Sequence, residues 1–103
     1  MVEPTNPVVR SFVEALNAGD KDGVYAVLAE GATISDDGTE RDLDDWLARE
    51  AFDTSGRMEV DSQSPDGLSL IANYFNTRWG GMTTRWKFTV DDDKITRFET
   101  GQG

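Results

Sequence analysis

The chain has 103 residues, 20 of them acidic and 10 basic, and its formal net charge is -10 at pH 7. It contains neither cysteine nor histidine, which excludes disulfides, thiolate catalysis, zinc sites built on these residues and imidazole bases. The acidic charge also argues against nucleic acid and anionic membranes as partners, because both carry phosphate charge of the same sign.

The first element in the chain is predicted to be a helix. Apolar residues recur at helical spacing over residues 8–16, which gives one broad apolar stripe. Asn6 suits the N-cap, Pro7 the first helical position, and Gly19 the position just past the end. The sequence therefore predicts a helix that begins at Pro7 and ends before Gly19.

Two more helices and a short strand are predicted next. Asp20 caps a second, shorter helix that ends at Gly31. The residues on its inner face are Val24, Val27 and Leu28. Residues 32–35 form a short β-prone run, which a turn signal at residues 36–38 ends. A third helix is predicted over residues 42–51, where the first residue suits a cap and further acids follow in the first turn.

The second half of the chain changes to the two-residue period of strands. Four strands are predicted, over residues 57–62, 68–79, 82–90 and 95–100. The turns between them are short, so consecutive strands should pair as an antiparallel meander. Helices followed by such a sheet predict an α+β fold with the helices on one sheet face, and residues 1–103 are expected to form a single domain.

Three segments of the sequence resemble a known family. Residues 8–23, VVRSFVEALNAGDKDG, are similar to the opening of ketosteroid isomerases and of SnoaL-like polyketide cyclases. ATISD at residues 32–36 is similar to their first strand, and KITRF at residues 94–98 is similar to their last. The chain thus resembles the nuclear-transport-factor-2-like (NTF2-like) superfamily over nearly its whole length, most strongly over residues 8–36.

This resemblance implies a cystatin-like cone, in which three N-terminal helices pack on a curved antiparallel sheet in the order α-α-β-α-β-β-β-β. In the family, the sheet curls around the long first helix and encloses an apolar space that is open at one end. The chain is shorter than typical members around Gly80 and Gly81, so we expect a shallow cone. Members often pair through the open face of the sheet, which implies a homodimer.

The resemblance places Asp36 at the position of the aspartate that shuttles protons in the isomerases. A carboxylate at the mouth of an apolar cone suits general base catalysis, because a poorly hydrated carboxylate binds a proton more readily. In the alternative interpretation, Asp36 merely turns the chain together with Asp37 and Gly38. The sequence leaves both interpretations open.

The two groups that stabilise the oxyanion in the isomerases are not kept. The family's helix tyrosine corresponds to Phe12, which cannot donate a hydrogen bond, and its protonated aspartic acid corresponds to Thr84, a candidate weak donor. Loss of one such donor costs about 10²–10³ in rate in other enzymes, so efficient steroid isomerisation is not expected. Tyr25 and Tyr74 are the only phenols in the sequence that could replace the missing donor.

Aromatic residues are predicted to line the cone. If Thr84 faces inward, strand alternation also turns Trp86 and Phe88 inward. The candidate ligand pocket therefore consists of Phe12, Trp46, Trp86, Phe88, Trp79, Tyr25 and Tyr74. The alternative is ordinary core packing against the helices, and in a domain this small one ring can serve both purposes.

Three hypotheses for the function follow. The first is a pocket that binds a small apolar or aromatic molecule without converting it, and without a cofactor. The second is a proton-transfer enzyme of the isomerase or polyketide cyclase type, with Asp36 as general base. The third is a homodimeric interaction module, in which Phe75, Trp79 or Phe98 forms an exposed patch on the outer sheet face.

Neither a metal site nor a membrane segment is expected. The acidic run at residues 91–93 lacks the spaced oxygen pattern of a calcium loop and suits a hairpin turn instead. The N-terminus has no signal-peptide pattern, and no stretch approaches the ~18 apolar residues of a membrane span, so we expect a cytoplasmic protein.

Overall fold

The computed structural model describes residues 3–78 and 80–102, and within these ranges it contains three α-helices, one π-helical segment and six strands. The helices are α1 (Pro7–Asn17), α2 (Lys21–Ala26) and α3 (Leu43–Leu47), and α3 continues directly as the π-helical segment (Ala48–Phe52). The strands are β1 (Leu28–Asp36), β2 (Thr39–Arg41), β3 (Arg57–Gln63), β4 (Ser69–Asn76), β5 (Gly80–Asp91) and β6 (Lys94–Gln102).

All six strands form one sheet, in the order β2-β1-β6-β5-β4-β3. The predicted antiparallel meander is confirmed, because β3, β4, β5 and β6 pair in sequence with antiparallel register. Two details differ from the prediction: β2 is an additional strand, and β1 pairs with β6 in parallel. The helices pack on this sheet as in an α+β cone, with α1 in contact with both β6 and β3.

Helix α1 begins and ends where the sequence predicts. The Asn6 side-chain oxygen accepts hydrogen bonds from Val8 N at 3.0 Å and Val9 N at 3.3 Å, so it satisfies two of the free amides of the first turn. Gly19 follows the helix with a positive φ of 68°, a conformation that glycine adopts without steric cost. The buried stripe consists of Val9, Phe12, Val13 and Leu16.

The predicted second helix is too long. Helix α2 ends at Ala26, and the carbonyl of the next residue, Val27, already accepts a hydrogen bond from the Ile95 amide of β6 at 2.8 Å. Leu28, predicted on the inner face of the helix, is the first residue of β1. Gly31, predicted to end the helix, lies inside β1 with a φ of +77°, where the pairing with β6 shifts register. Pairing with β6 therefore overrides the local helical pattern.

The turn predicted after β1 is a tight hairpin. Asp37 and Gly38 both have positive φ, 50° and 81°, which is the signature of the turn type that matches strand twist. It returns the chain as β2 and is followed by α3, whose cap is confirmed because Asp42 Oδ1 accepts from Asp45 N at 2.9 Å. A third helix was predicted over residues 42–51, and the second half of that range belongs to the π-helical segment.

Strands β4 and β5 meet in a turn slightly earlier than predicted. Strand β4 ends at Asn76 instead of continuing to residue 79, and Gly80 already belongs to β5. The Phe75 ring lies over Gly81, where a Cβ atom would come within 2.8 Å of it. The glycine thus makes room for an aromatic side chain on the outer sheet face.

The inside of the cone is filled by aromatic rings. Phe12 on α1 is fully buried, and its ring centre lies 5.3 Å from those of Phe88 and Phe98 and 6.3 Å from that of Trp86. The six rings of this aromatic cluster belong to Phe12, Trp46, Tyr74, Trp86, Phe88 and Phe98. The prediction that Phe98 belongs to an exposed patch is wrong, because its register opposite Phe88 turns it inward and leaves it 0% exposed.

The edge of the sheet formed by β3 is protected by the side chain of Asn17. Strand β3 is the last strand on its side, so its outward backbone groups have no strand partner. Asn17, at the end of α1, accepts from the Met58 amide at 2.7 Å and donates to the Met58 carbonyl at 2.8 Å. The amide side chain thus replaces a neighbouring strand at this position. No helix among the residues that the structure describes is long and apolar enough to cross a membrane.

Candidate functional site

The cavity that could hold a ligand lies at the open end of the sheet, where β1, β4 and β6 end and β5 begins. It has a volume of about 320 Å³ and is closed on one side by α3 and the π-helical segment. Its apolar surface comes from Trp46, Tyr74, Met82 and Trp86. Its polar groups include Asp36, Arg41, Glu50, Asn76 and Arg78. We call this space the cone-mouth cavity.

Asp36, the candidate base, is the last residue of β1 and lines this cavity. The turn itself is made by the next two residues, Asp37 and Gly38. The Trp46 indole Nε1 donates to Asp36 Oδ2 at 3.0 Å, which fixes the orientation of the half-buried carboxylate. Oδ1 has no hydrogen-bond partner among residues 3–78 and 80–102. The structure thus presents an oriented carboxylate with one oxygen available to a ligand.

Thr84, the candidate weak donor, also lines the cavity, and its side chain is buried on the inner face of the sheet. Its hydroxyl group donates to the Ala72 carbonyl at 3.1 Å and accepts from the Trp86 indole Nε1 at 2.8 Å. The single hydroxyl proton is therefore used within the sheet, between β4 and β5. An oxyanion in the cavity would have to displace that bond before it could use Thr84.

Tyr74 reaches the cavity from β4, whereas the other phenol does not. The Tyr74 hydroxyl donates to the backbone carbonyl of Glu50, which carries it toward the π-helical segment. Burial, with a smaller contribution from the charge of Glu50, raises the pKa of Tyr74 well above its usual range. Tyr74 is therefore a neutral group at physiological pH, whose hydroxyl proton is directed at the protein backbone.

Tyr25 lies on the opposite side of α3, outside the cone-mouth cavity. Its hydroxyl donates to Asp44 Oδ1 at 2.5 Å, so it joins α2 to α3. Burial, together with the hydrogen bond to Asp44 and its charge, raises the pKa of Tyr25 to about 12. The prediction that it lines a ligand pocket with the inward rings is not supported by this position.

The remaining predicted pocket residues divide into two groups. Trp46 and Trp86 line the cavity, and their rings lie 6.0 Å apart at 78°, edge to face. Phe12 and Phe88 lie deeper, in the filled part of the cone, and do not reach the cavity surface. Trp79 lies outside the residues that the structure describes.

Sequence reasoning missed the charged side of the cavity. Glu50 is carried inward by the π-helical segment, its side chain is only 13% exposed, and it pairs with Arg78 at 3.4 Å. Asn76 donates to the Glu50 carbonyl at 3.3 Å. Widened helical turns of this kind are frequent at functional sites, but the sequence of the segment shows no signal for one.

A second groove, of about 550 Å³, crosses the outer face of the sheet. Its side chains stand opposite one another on neighbouring strands, since Ser35 pairs with Glu99, Glu99 with Lys87, and Lys87 with Ser69. We assign the site to the cone-mouth cavity because three aromatic side chains and Asp36 line it, and ligand pockets typically combine aromatic side chains with a few convergent polar groups. Among the described residues, no group of three or more acidic side chains is arranged to hold a metal ion.

Comparison with solved structures identifies the fold. An NTF2-like protein of unknown function from Cytophaga hutchinsonii superposes with a TM-score of 0.77 at 15% identity, over 93% of this chain and 87% of that one. A proposed polyketide cyclase from Sinorhizobium meliloti gives 0.76 at 22% identity, over 92% and 94%. The Δ5-3-ketosteroid isomerase from a Mycobacterium species gives 0.74 at 17% identity, over 96% and 92%. The chain has the NTF2-like fold.

At these identities the likeness shows the fold and not the activity, and no protein-family model matches the sequence. The NTF2-like fold accounts for the position of the cavity, since the strand ends and α3 meet at the mouth of the cone. What this member binds there depends on its own side chains.

Proposed function

We propose that this single NTF2-like, SnoaL-like domain binds a compact aromatic or apolar molecule in the cone-mouth cavity. The observation that carries the proposal is an aromatic surface, made by Trp46, Tyr74 and Trp86, next to an oriented carboxylate with one unused oxygen. A volume of about 320 Å³ is at the lower end of the roughly 300–1,000 Å³ usual for ligand pockets. The expected ligand therefore has one or two rings, with a hydroxyl or amide group that donates to Asp36.

Binding without conversion is favoured because the groups for oxyanion stabilisation are missing or engaged. Phe12 carries no donor, and the hydroxyl proton of Thr84 is bound to the Ala72 carbonyl. Removing a single oxyanion donor lowers rates about 10²–10³-fold in other enzymes. Efficient isomerisation of the steroid type would need a donor that the cavity does not hold ready.

The proposal can be tested with 2-naphthol, whose two rings suit the cavity and whose hydroxyl can donate to Asp36. We expect its addition to shift the indole N–H signals of Trp46 and Trp86 in ¹⁵N–¹H spectra, assigned by Trp→Phe variants. Met82→Trp should fill the cavity and lower the affinity at least tenfold, whereas Thr83→Trp, one residue along β5 on the outer face, should not. Equal affinity in the two variants would contradict the proposed site.

A proton-transfer enzyme is the second candidate, and the geometry of Asp36 favours it. The bond from Trp46 fixes the carboxylate, so Oδ1 could take a proton from a carbon next to a carbonyl group and return it to the same molecule. The structural neighbours include the ketosteroid isomerase and the proposed polyketide cyclase, which makes such a step plausible for this fold.

The test for proton transfer is deuterium exchange into 2-tetralone, a compact two-ring ketone, followed by NMR. The enzyme hypothesis predicts exchange above the buffer rate, which Asp36→Asn should abolish. Asp37→Asn is the matched control, because Asp37 is adjacent but its carboxylate accepts from the Gln102 amide at 3.0 Å. Exchange at the buffer rate in the unmodified protein would leave binding as the function.

A homodimer that pairs through the outer sheet face is a further part of the proposal. Among the residues that the structure describes, two large apolar side chains remain exposed on this face, Ile71 at 37% and Phe75 at 45%, and a second copy would cover them. Sedimentation at micromolar concentration and moderate ionic strength, where the charge of -10 is screened, should show a dimer that Phe75→Ser weakens. A monomer under these conditions would exclude it.

A further inference from the structure

The charges at the cone-mouth cavity come from three acidic and three basic residues, and most of them are engaged within the protein. These residues are Asp36, Asp37, Glu50, Arg41, Arg49 and Arg78. Arg78 pairs with Glu50 at 3.4 Å, and Arg49 pairs with Asp45 on α3 at 3.1 Å. Two of the three guanidinium groups therefore already have a carboxylate partner.

Arg41 differs from the other two arginines at the cavity. Its guanidinium group forms no ion pair and no hydrogen bond with any residue in the parts of the chain that the structure describes. Its register on β2 is opposite Ile34 of β1, and residues that stand opposite in an antiparallel pair point to the same sheet face. Ile34 is fully buried on the inner face, so Arg41 belongs to the cavity side of the sheet edge.

Glu40, the residue before Arg41, forms an ion pair with a different arginine. Glu40 stands opposite Ser35 and thus on the outer face, where it forms an ion pair with Arg97 of β6. Glu40 therefore has its partner on the other side of the sheet, and Asp42, the acidic residue that follows Arg41, caps α3 through its Oδ1. Nothing on the inner face of β2, within residues 39–41, offers Arg41 a carboxylate.

We propose that the molecule bound in the cone-mouth cavity carries a carboxylate, and that Arg41 binds it. This inference rests on the proposed function and names the class of ligand: a compact aromatic carboxylic acid. Asp36 stands opposite Thr39, two residues from Arg41, which corresponds to about 7 Å along the strand. One ligand can therefore reach both groups, with its anionic end at Arg41 and a donor or acidic C–H at Asp36.

The net charge of the protein disfavours the binding of an anion. A chain with a net charge of -10 repels anions in general, so a preference for an anionic ligand would have to come from a local group. A guanidinium group is suited to a carboxylate because its planar fork can donate two parallel hydrogen bonds. Arg49 and Arg78 already pair with carboxylates of the protein, so Arg41 is the arginine at this cavity that can bind the carboxylate of a ligand.

The test compares 6-hydroxy-2-naphthoate with 6-hydroxy-2-naphthamide by calorimetry on the unmodified protein; both have the same rings and the same hydroxyl donor for Asp36, and only the first is charged. We expect the acid to bind about tenfold more tightly at low salt, and the difference to shrink at high salt as the charges are screened. Arg41→Gln should remove the preference by weakening the binding of 6-hydroxy-2-naphthoate about tenfold while leaving that of 6-hydroxy-2-naphthamide unchanged. Lys21→Gln makes the same change in net charge on exposed α2, away from the cavity, and should leave the preference intact.

The outcomes separate this inference from the proposed function. If 6-hydroxy-2-naphthamide binds and shifts the indole signals of Trp46 and Trp86, but 6-hydroxy-2-naphthoate binds no more tightly, the carboxylate class is wrong and the cavity remains a binding site. If the preference persists in Arg41→Gln, or disappears equally in Lys21→Gln, Arg41 is not the recognising group. If neither compound binds, the proposed function itself fails.

Discussion

Replacing Phe12 by alanine tests whether the inside of the cone is a filled core. The side chain is 0% exposed and packs against three other rings, with the nearest ring centres, those of Phe88 and Phe98, at 5.3 Å. Phe→Ala in a protein core costs about 3–5 kcal/mol of unfolding free energy. Each lost aromatic pair contributes about 0.5–1.5 kcal/mol, which places Phe12→Ala in the upper part of that range. Phe12→Leu keeps most of the volume and loses mainly the ring pairs, so we expect about 2 kcal/mol.

Urea denaturation at 25 °C, followed by far-UV circular dichroism, measures these differences. Phe75→Ala is the matched control, because the same atoms are removed from a side chain that is 45% exposed on the outer sheet face. We expect this control to cost no more than about 1 kcal/mol at a protein concentration too low for the proposed dimer to form. If Phe12→Ala and Phe75→Ala were equally destabilising, the ring of Phe12 would not fill the cone, and the restriction of ligands to the mouth would lose its basis.

Three further predictions concern side chains outside the cavity. Because the pKa of Tyr25 is raised to about 12, its hydroxyl group should contribute fully to stability below pH 10, and this contribution should be lost as the pH rises from about 10 to about 12. Over that interval the unfolding free energy of Tyr25→Phe should therefore fall less than that of the unmodified protein. Asn17→Ala leaves the amide and carbonyl of Met58 without partners at the sheet edge. We expect it to lower the unfolding free energy, measured by urea denaturation, by about 2 kcal/mol and to speed aggregation, measured by light scattering. Asp20→Ala removes the cap of α2, where the carboxylate accepts from the Gly23 amide at 2.9 Å, and should cost about 1 kcal/mol, or about 4–8 °C in Tm by calorimetry.

The elements that the sequence predicted well are those whose limits are set by neighbours in the chain. Helix α1 is bounded by Asn6 and Gly19, and both act as the local rules require. Strand β3 was recognised from the alternation of Met58 and Val60 with exposed residues, and both side chains are buried. In these cases the information lies within a few residues of the feature that it predicts.

The errors occur where a distant strand decides the outcome. Residues 27 and 28 suit a helix by local pattern, but the Ile95 amide, far along the chain, binds the Val27 carbonyl and draws the segment into the sheet. The parallel pairing of β1 with β6 could not be deduced either, since it joins the two halves of the chain across the whole meander. Local propensity is a weak prior when pairing of this kind competes with it.

The candidate site shows the same division. The inward direction of Thr84 and Trp86 follows from alternation, but the partner of the Thr84 hydroxyl, the Ala72 carbonyl, depends on the register between β4 and β5. The bond from Trp46 to Asp36 depends on where α3 lies over the sheet. Arg41 belongs to β2, a strand of three exposed residues that carries no pattern of its own.

The filled cone determines what kind of ligand the chain can hold. Because Phe12 and Phe88 occupy the depth of the cone, a molecule in the cone-mouth cavity would reach Trp86 only from the mouth. Any apolar part that extended beyond the mouth would add little to its affinity, since that surface would not be buried. Beyond the contact with the aromatic surface, its affinity would depend on its polar end, and Asp36 and Arg41 line the cavity in which that end would lie.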